Sequence, residues 1–526
     1  MTSNAYVFSD QVQHLLILIE ESTRASQITS KYFIEPAPGT LARAASRRHH
    51  IIFGRRGSGK SSLLNKIHSA NLVNRTPSAF VDLEAFKGHI YPDLLLSILI
   101  QTFSEFKEWL DQPAIAPATK TSFWEKISIV KPTKRKAQID EAKSLSTSVG
   151  IQISNLRTLL HQEEIIQSED VTARSSKTSS KVSASAGSGV PVAPISAKIK
   201  GEISDGQDES TSRRRTYETR KHQSLQRNIL EYQNIFKSIK QISHSEVFLI
   251  LDDLYHIPRS DQADVIDYFH KIAKGGNFWL KIGTVRHRTE HYRNGNPPVG
   301  MKLSDDIDSL DLDVTLEKYA TTKNFLFDIL LKFAEDCNVN VDAVFTDGAR
   351  DRLVLASGGV ARDFLSLFRK AVEEARERVA SGDLSRGDRA GAEDVNRAAG
   401  RYYDAKLQEL DRDTTADDKK DVETQIENVR NFCINKSNAN CILVEKDRRS
   451  ELGNHIGELV DLKILHPIRS GLTVSKKPGK RFDAFMLDYS FYTGDRTKRH
   501  FDAIDFWRPN VSEEILRRVG LIYEQA

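Results

Sequence analysis

Ile51-Ile-Phe-Gly-Arg-Arg-Gly-Ser-Gly-Lys-Ser-Ser-Leu-Leu64 is the stretch that decides the fold of this chain. It opens with an apolar strand pattern, His50–Phe53, and closes with a periodic helical pattern over residues 60–70. Between the two lies the glycine-rich segment Gly54–Ser61. Glycines let such a loop curl so that successive backbone N–H groups point at phosphate oxygens, and the following helix adds the positive end of its dipole. The order of strand, glycine-rich loop and helix therefore predicts a phosphate-binding loop.

The spacing Gly-x-x-x-x-Gly-Lys-Ser gives the polar side chains of this loop separate tasks. We expect Lys60 to reach the β- and γ-phosphates of ATP and the Ser61 hydroxyl to join the shell of a Mg²⁺ ion. The predicted nucleotide-binding residues are Gly54, Arg55, Arg56, Gly57, Ser58, Gly59, Lys60, Ser61 and Ser62.

A second, acidic part of the site is predicted at the end of the buried strand in Val247-Phe-Leu-Ile-Leu-Asp-Asp-Leu254. The carboxyl ends of parallel strands gather at the ligand-binding edge of an open α/β sheet. We predict that Asp252 holds Mg²⁺ through water and that Asp253 polarises the water that attacks the γ-phosphate. The alternative is that both are surface acids at a strand end.

Short apolar segments alternate with longer helical patterns between residues 50 and 283. The other predicted strands are Ala79–Leu83, Glu246–Leu251 and Phe278–Gly283, and the other predicted helices span 91–110, 220–242 and 259–274. This alternation predicts an α/β P-loop NTPase core, a parallel sheet with helices on both faces.

A polar, Lys- and Ser-rich stretch at about 111–219 interrupts the alternation, and residues 168–188 alone contain eight serines. Such a composition does not favour a packed core, so we predict an insertion. Within it, Val182–Val192 and Ile195–Ile203 alternate with period two, which indicates either a β-hairpin or a disordered loop.

Two further segments are predicted to sense the nucleotide. Leu280-Lys-Ile-Gly-Thr-Val-Arg286 would bring Thr284 or Arg286 near the γ-phosphate, and the helix start after Gly358-Gly-Val would let Arg362 reach back to the phosphates. Arginine suits this role because its charge is permanent and its fork matches phosphate oxygens. Arginines at helix ends are, however, also common as plain surface residues.

The pattern divides the chain into five parts. We predict a helical N-terminal segment (1–44) with a helix over 8–28, the ATPase core (45–310), a helical lid (311–410), a winged-helix-like domain (421–500) and a C-terminal tail (501–526). The fourth part has a helix over 446–463 and two strands, with turns at Gly471 and Lys477–Lys480.

Together these motifs resemble the AAA+ and STAND group of P-loop ATPases, and within it the origin-recognition and initiator-like branch. The matching segments are Gly54–Ser61, Leu249–Asp253, Gly283–Arg286 and Gly358–Arg362. The resemblance implies a helical lid, a winged helix and ATP hydrolysis with Mg²⁺. The Asp-Asp pair replaces the usual Asp-Glu, which suits slow hydrolysis or STAND-like switching. The form of Phe53–Lys60 also resembles stand-alone bacterial ATPases found beside mobile elements and phage-defence genes.

Local basic clusters decide whether DNA binding is expected, because a net charge of +4 is too small for a bulk electrostatic prediction. The predicted wing tip would touch DNA phosphates through Lys476, Lys477, Lys480 and Arg481. A solvated hairpin end and a protein contact are the alternatives. Lys131–Lys136 and Arg213–Arg215 could add weak phosphate contacts, although charge runs are usually just solvated.

Three cysteines without metal-ligand spacing suit a reducing cytosol. No apolar run approaches the ~20 residues that cross a bilayer, and no export signal is visible, so we expect a cytoplasmic protein that is not in a membrane. We also expect a homo-oligomer and a separate effector protein. The candidates for an arginine acting across subunits are Arg286, Arg288 and Arg293.

Three functional hypotheses follow from this sequence. The first is an ATP-hydrolysing AAA+-like switch that assembles on or regulates DNA-associated machinery in phage defence, replication or transposition. The second is a STAND-like signalling scaffold whose C-terminal domain binds protein. The third is a kinase-like phosphotransferase, which the absence of a small-substrate motif disfavours.

Overall fold

The structure is a computed structural model that describes residues 5–24, 26, 29–112, 138–161, 196–413, 416–446, 451–493, 501–508 and 513–524. Over residues 196–218 and most of 404–419 it describes the path of the backbone alone.

A five-stranded parallel sheet lies at the centre of residues 50–311. Its strands are β1 (His50–Phe53), β2 (Ser78–Asp82), β3 (Phe248–Asp252), β4 (Trp279–Thr284) and β7 (Asp308–Asp311). They lie side by side in the order β2-β3-β4-β1-β7. A two-stranded hairpin, β5 (Tyr292–Arg293) with β6 (Val299–Gly300), precedes β7. Every residue of β1 and β3 is buried, as expected for strands covered on both faces.

Helices cover both faces of this sheet. Side chains alternate along each strand, so Ile51 and Leu249 point to one face and Ile52 and Ile250 to the other. The second face packs on α3, and the first packs on a larger group of helices. The helices around the sheet are α2 (Thr40–Ala44), α3 (Lys60–Val73), α4 (Asp93–Asp111), α5 (138–161), α6 (Ser196–Ser243) and α7 (Arg259–Ala273). The four strands predicted from the sequence are all present, and the predicted parallel sheet with helices on both faces is confirmed.

The prediction that 111–219 lacks packed structure is wrong for α5. Ala142, Val149, Ile153 and Leu156 of this helix are buried in the same core cluster as the sheet. Their spacing of three to four residues, or a multiple of it, is a helical signal that the polar average composition of the whole stretch concealed.

Other predictions for this stretch have different outcomes. The backbone is helical from Ser196 onwards, so the predicted hairpin or loop over Ile195–Ile203 is wrong for 196–203. The basic run Arg213–Arg215 is part of the same helix, α6. The other alternating segment, Val182–Val192, and the basic run Lys131–Lys136 lie outside the described residues.

The second half of the chain begins with a group of helices, as predicted. They are α8 (Tyr319–Asp336), α9 (Val341–Val344), α10 (Asp347–Ser357), α11 (Ala361–Ala380) and α12 (Ala392–Asp413). The N-terminal helix α1 spans Asp10–Glu21, shorter than the predicted 8–28, and Ser9 caps it by accepting a hydrogen bond from the Val12 N–H. Its apolar face, Val12, Leu15, Leu16 and Ile19, is buried in the same cluster as α8 and α11.

A three-stranded antiparallel sheet follows, in the order β8-β10-β9. Its elements are α13 (Ala416–Asn431), β8 (Cys441–Glu445), α14 (Glu451–Asp461), β9 (Leu465–Thr473) and β10 (Arg481–Leu487). The predicted turn at Gly471 is wrong, because this residue lies inside β9 at φ 76° and the strand continues through it. In the predicted tail, Ile504, Leu516, Leu521 and Tyr523 are buried in the cluster that contains this sheet.

Within the described part of the chain, the helices are all too short or too polar to span a bilayer.

Candidate nucleotide-binding site

The phosphate loop connects the end of β1 at Phe53 to the start of α3 at Lys60. Gly57 and Gly59 adopt φ values of 88° and 99°, which residues other than glycine rarely adopt. At Gly57 a Cβ would also lie only 2.8 Å from the Cβ of Arg362. Glycine is therefore required at this position both for the turn and for the close approach of α11.

Lys60 is almost fully buried at the base of the loop. Its ammonium donates to the carbonyl oxygens of Gly54 at 2.8 Å and Arg55 at 3.2 Å. Burial lowers the pKa of Lys60, and the carboxylates of Asp253 and Asp252 partly oppose that shift. The Ser58 hydroxyl in the same loop is buried, and it has no hydrogen-bond partner among the residues that the structure describes. A buried cation beside an unsatisfied hydroxyl fits an anionic, oxygen-rich ligand such as phosphate.

Asp252 ends β3 directly beside the loop. Its carboxyl is buried, and burial together with the neighbouring Asp253 raises its pKa to about 7, although a hydrogen bond with the Ser61 side chain opposes the shift. On the next strand, a Cβ at Gly283 would lie 2.4 Å from Asp252 Oδ1, so glycine leaves the space that this carboxyl occupies. The structure thus brings together the hydroxyl and the carboxylate that were predicted to hold Mg²⁺, and both are ligand types that this ion prefers.

Asp253 turns the chain sharply after the strand. Its backbone is left-handed, with φ 56° and ψ 44°, and its N–H donates to Asp252 Oδ1 at 2.9 Å. This turn directs the chain into a short 3-10 helix, Leu254–His256, at the carboxyl edge of the sheet. One ligand atom each from Asp253, His256 and Glu84 lie within 4.8 Å of one another.

A cavity of about 500 Å³ opens over the loop and the acidic strand end. Of the predicted nucleotide-binding residues, Arg56–Ser62 line it, together with Asp252, Asp253 and Arg362. Arg362 lies in the first turn of α11, and its N–H donates to the Gly57 carbonyl at 3.2 Å. The segment predicted to sense the phosphates is therefore in direct contact with the loop.

The cavity wall also has an apolar part that was not predicted. It comes from the N-terminal segment and from α8 and α11: Tyr32, Phe33, Ile34, Phe325, Ile329, Phe333 and Leu365. The Tyr32 ring stacks on Phe333 at 3.9 Å between centroids. These residues carry no local motif and are brought together only by the tertiary fold. The run Tyr32-Phe-Ile34, close to the loop in the sequence, is the one signal that could have indicated them.

The structure places the Arg55 side chain outside the cavity, contrary to its predicted role in nucleotide binding. Its side chain is 1% exposed and points away from the cavity, towards Asp313 and the C-terminal sheet. The guanidinium donates to Asp313 Oδ1 at 3.3 Å and to the carbonyls of Val314 and Gly358, and it lies 3.3 Å from His466 Nδ1. Gly54 likewise does not line the cavity. Arg55 and Arg56 face opposite sides of the curled loop. The sequence does not reveal this difference, because both residues are arginines.

Thr284 and Arg286 lie at the predicted sheet edge but not in the cavity wall. The Thr284 hydroxyl is buried and lies 2.6 Å from that of Thr289. Arg286 pairs with Asp311 at 2.9 Å and lies 4.2 Å over the Phe53 ring. Both side chains are thus held by neighbours at this edge, outside the cavity that Lys60 and Ser61 line.

A buried chain of polar groups continues from Arg55 into the C-terminal sheet. His466 on β9 lies 2.8 Å from Asp488, and Asp488 also contacts Lys406 of α12. All three are buried. The pKa of Asp488 is lowered, because Lys406 and His466 stabilise its charge more strongly than burial opposes it, and burial lowers the pKa of His466. The phosphate loop is therefore connected to the C-terminal sheet by hydrogen bonds.

Comparison with known proteins gives one family match. A model of the KAP family P-loop domain matches residues 51–274, a segment that contains the phosphate loop and the acidic strand and makes up less than half of the chain. A search of the curated proteins found no match. Among solved structures, a Walker-type ATPase of Pyrococcus abyssi is similar, with 12% identity over 85% of this chain and 91% of that one, at a TM-score of 0.36.

The parallel sheet, the phosphate loop between β1 and α3, the paired Ser61 and Asp252, and the family match over the same residues lead to one conclusion. The chain contains a P-loop NTPase domain.

Proposed function

We propose that this protein is a cytoplasmic ATP-driven switch that binds and slowly hydrolyses ATP with Mg²⁺ in the cavity over the phosphate loop. The observation behind the proposal is the composition of the cavity wall: three separate parts of the chain line it, the P-loop core, the N-terminal segment, and the helices α8 and α11. A ligand there contacts all three parts. If its contacts differ between two arrangements of these parts, its binding favours one arrangement over the other.

The side chains at the phosphate end of the cavity have separate roles in binding and hydrolysis. Lys60 and the backbone N–H groups of the loop bind the β- and γ-phosphates, and Asp253 orients the attacking water. Ser61 and Asp252 would hold Mg²⁺, which neutralises charge that develops on the phosphates. Arg362 contacts the γ-phosphate from α11 and so distinguishes ATP from ADP.

The apolar end of the cavity suits a nucleobase. Tyr32, Phe33 and Phe333 offer flat surfaces against which a base can stack, and a cavity of about 500 Å³ falls in the size range of small-molecule sites. The N-terminal segment therefore recognises the base, while the loop recognises the phosphates.

The helices of 311–410 act in this proposal as a lid, and the part that contains the antiparallel sheet acts as a winged-helix-like domain that reads the state of the lid. This arrangement is that of the AAA+ initiator-like ATPases that the motifs resemble. Two contacts support a link between the sheet and the nucleotide. Arg55 of the phosphate loop lies against His466 of β9, and Lys463 pairs at 3.2 Å with Asp363, the residue after Arg362.

The partner of the C-terminal domain is either DNA or protein. In the basic tip, Lys477 pairs with Glu524 at 3.2 Å and Lys480 with Glu445 at 2.7 Å, whereas Lys476 and Arg481 are exposed. These pairs weaken the attraction to DNA phosphates and favour the second hypothesis, a STAND-like scaffold with a separate effector protein. The first hypothesis, a switch on DNA-associated machinery, then depends on Lys476 and Arg481.

Light scattering after size exclusion tests the proposal, with wild type and Asp253→Asn, with and without ATP–Mg²⁺ and duplex DNA. The proposal predicts that ATP–Mg²⁺ enlarges the homo-oligomer and that Asp253→Asn, which binds but hydrolyses poorly, stays enlarged for longer. Enlargement that DNA enhances supports the DNA-associated switch, and enlargement indifferent to DNA supports the scaffold. A particle of constant mass in every condition contradicts an ATP-driven assembly.

A further inference from the structure

We propose that Glu84, at the end of β2, is a second catalytic carboxylate that accepts the proton of the attacking water. This inference rests on the proposed function, ATP hydrolysis in the cavity. It assigns a role to a residue that the sequence motifs do not include.

Sheet register places Glu84 at the reaction edge. β2 lies beside β3, and their last residues, Asp82 and Asp252, are partners in the ladder. Glu84 follows two residues later, in a short 3-10 helix, Leu83–Phe86. The Asp82 carboxylate accepts a hydrogen bond from the Glu84 N–H at 2.9 Å and so fixes the turn that carries this residue.

Glu84 faces the same space as the phosphate-binding residues. It lines the cavity together with Lys60, Ser61, Asp252 and Asp253. Its carboxylate lies within 4.8 Å of a carboxylate oxygen of Asp253 and a ring nitrogen of His256. These two neighbours belong to one turn, in which the His256 N–H donates to the Asp253 carbonyl at 3.1 Å. The side chains of two adjacent strand ends thus converge on one point at the mouth of the site.

The chemistry and reach of its side chain make Glu84 suitable as a base. Carboxylates are among the side chains that accept protons in general base catalysis. Glu84 is also longer than Asp253 by one methylene, and it approaches from the neighbouring strand instead of from the strained turn at Asp253. Asp253 then orients the water, and Glu84 takes its proton.

The step balances without any further reactant. The water oxygen forms a bond to the γ-phosphorus, while the bond from that phosphorus to the β–γ bridging oxygen breaks and ADP leaves. One water proton passes to the Glu84 carboxylate and from there to solvent at the open face, since Glu84 is exposed.

Glu84→Gln tests this role because it keeps the shape of the side chain and removes the proton acceptor. ATP affinity is measured by titration with Mg²⁺–ATP, and the hydrolysis rate by single-turnover kinetics on the full chain. We expect the rate to fall about 100-fold or more, as for loss of a general base, with ATP affinity within about threefold of wild type. Glu84→Asp should retain part of the rate. Glu108→Gln, at an exposed position of α4 outside the cavity wall, is the matched control.

The other outcomes separate this inference from the proposed function. If Glu84→Gln hydrolyses ATP like wild type, the inference is overturned and the ATPase stands. If its rate returns to that of wild type at high Mg²⁺, Glu84 acts as a metal ligand, and the role as a base is overturned. If well-folded wild type neither binds nor hydrolyses ATP, the proposed function itself fails, and the inference fails with it.

Discussion

At the scale of single residues, two glycines leave the space in which the site is built, because neither has a Cβ. Gly57 allows α11 to approach the phosphate loop, and Gly283 allows the Asp252 carboxyl to sit against β4. The phosphate loop, Asp252 and Asp253 could be located from the sequence because their roles depend on local spacing. The direction of the Arg55 side chain could not be predicted, because it depends on partners far away in the chain, Asp313 and His466.

Gly283→Ala tests the first of these points. The added Cβ would lie 2.4 Å from Asp252 Oδ1 and 2.8 Å from Leu64 Cδ1, so the carboxyl must move. Overpacking of this kind costs about 1–3 kcal/mol of stability. Displacing a group of the reaction site should lower ATP hydrolysis on the order of 100-fold. Gly348→Ala, where nothing lies within 4 Å of the added Cβ, should leave the hydrolysis rate unchanged. Equal rates for both variants would refute the packing of Asp252 against β4.

Asp461→Asn tests a half-buried carboxyl at the last residue of α14, which contacts the backbone at His287. Asp461 accepts a hydrogen bond from the His287 N–H at 2.8 Å, and burial raises its pKa from 3.8 to about 7. Between these two values the folded protein keeps a proton that the unfolded chain has lost, so stability falls as pH rises through this window. At about 1.4 kcal/mol per pH unit, the full loss is roughly 4 kcal/mol.

Asparagine keeps an acceptor for the His287 N–H but cannot ionise. We therefore expect Asp461→Asn to melt at a higher temperature than wild type at pH 8, with a gap that narrows as the pH falls towards 5. Melting curves at several pH values measure this gap. A gap that is constant with pH would show that Asp461 titrates normally.

At the scale of elements, the apolar periodicity of the sequence predicted a strand or helix correctly where the apolar residues of that element alone form a clear buried face. The four core strands and α3, α4 and α7 were predicted because their apolar residues are dense and regular. Helix α5 was missed because its four buried residues are diluted by polar neighbours, and its burial depends on the sheet and on α6. The turn predicted at Gly471 failed because a glycine at positive φ also fits within a strand that bulges.

Asp488→Asn tests the polar connection between β9, α12 and the phosphate loop. Asp488 and Lys406 are both buried, so removing one charge leaves the other uncompensated, at a cost of about 3–5 kcal/mol. We expect hydrogen exchange to become faster in β9 and in the phosphate loop. Asp502→Asn breaks an ion pair with Arg518 that is more than half exposed on both sides and should cost under about 1 kcal/mol. If exchange in the loop does not change in Asp488→Asn, the two parts are not coupled through this chain of contacts.

At the scale of the whole molecule, the described residues form two large buried clusters and a smaller one that joins α2 and α3 to the second face of the parallel sheet. One large cluster contains the first face of the parallel sheet with α4 to α7. The other joins α1, the helices from α8 to α13, the antiparallel sheet and the C-terminal residues up to Tyr523. Composition along the sequence could not reveal this division, because residues from both ends of the chain pack together. The cavity lies where the P-loop core meets α8, α11 and the N-terminal segment, as the proposed switch requires.

Calorimetric titration of ATP with Mg²⁺ into wild type, Lys60→Ala and Lys66→Ala is the most direct test of the central claim, that ATP binds in this cavity. Lys60 is buried at the base of the loop, whereas Lys66, six residues later on the same helix, does not line the cavity. We predict saturable, Mg²⁺-dependent binding of one ATP per chain to wild type and Lys66→Ala. Loss of a charged hydrogen-bond donor should weaken binding to Lys60→Ala roughly 10- to 100-fold. Wild-type affinity in Lys60→Ala, or no binding by folded wild type, would contradict the account.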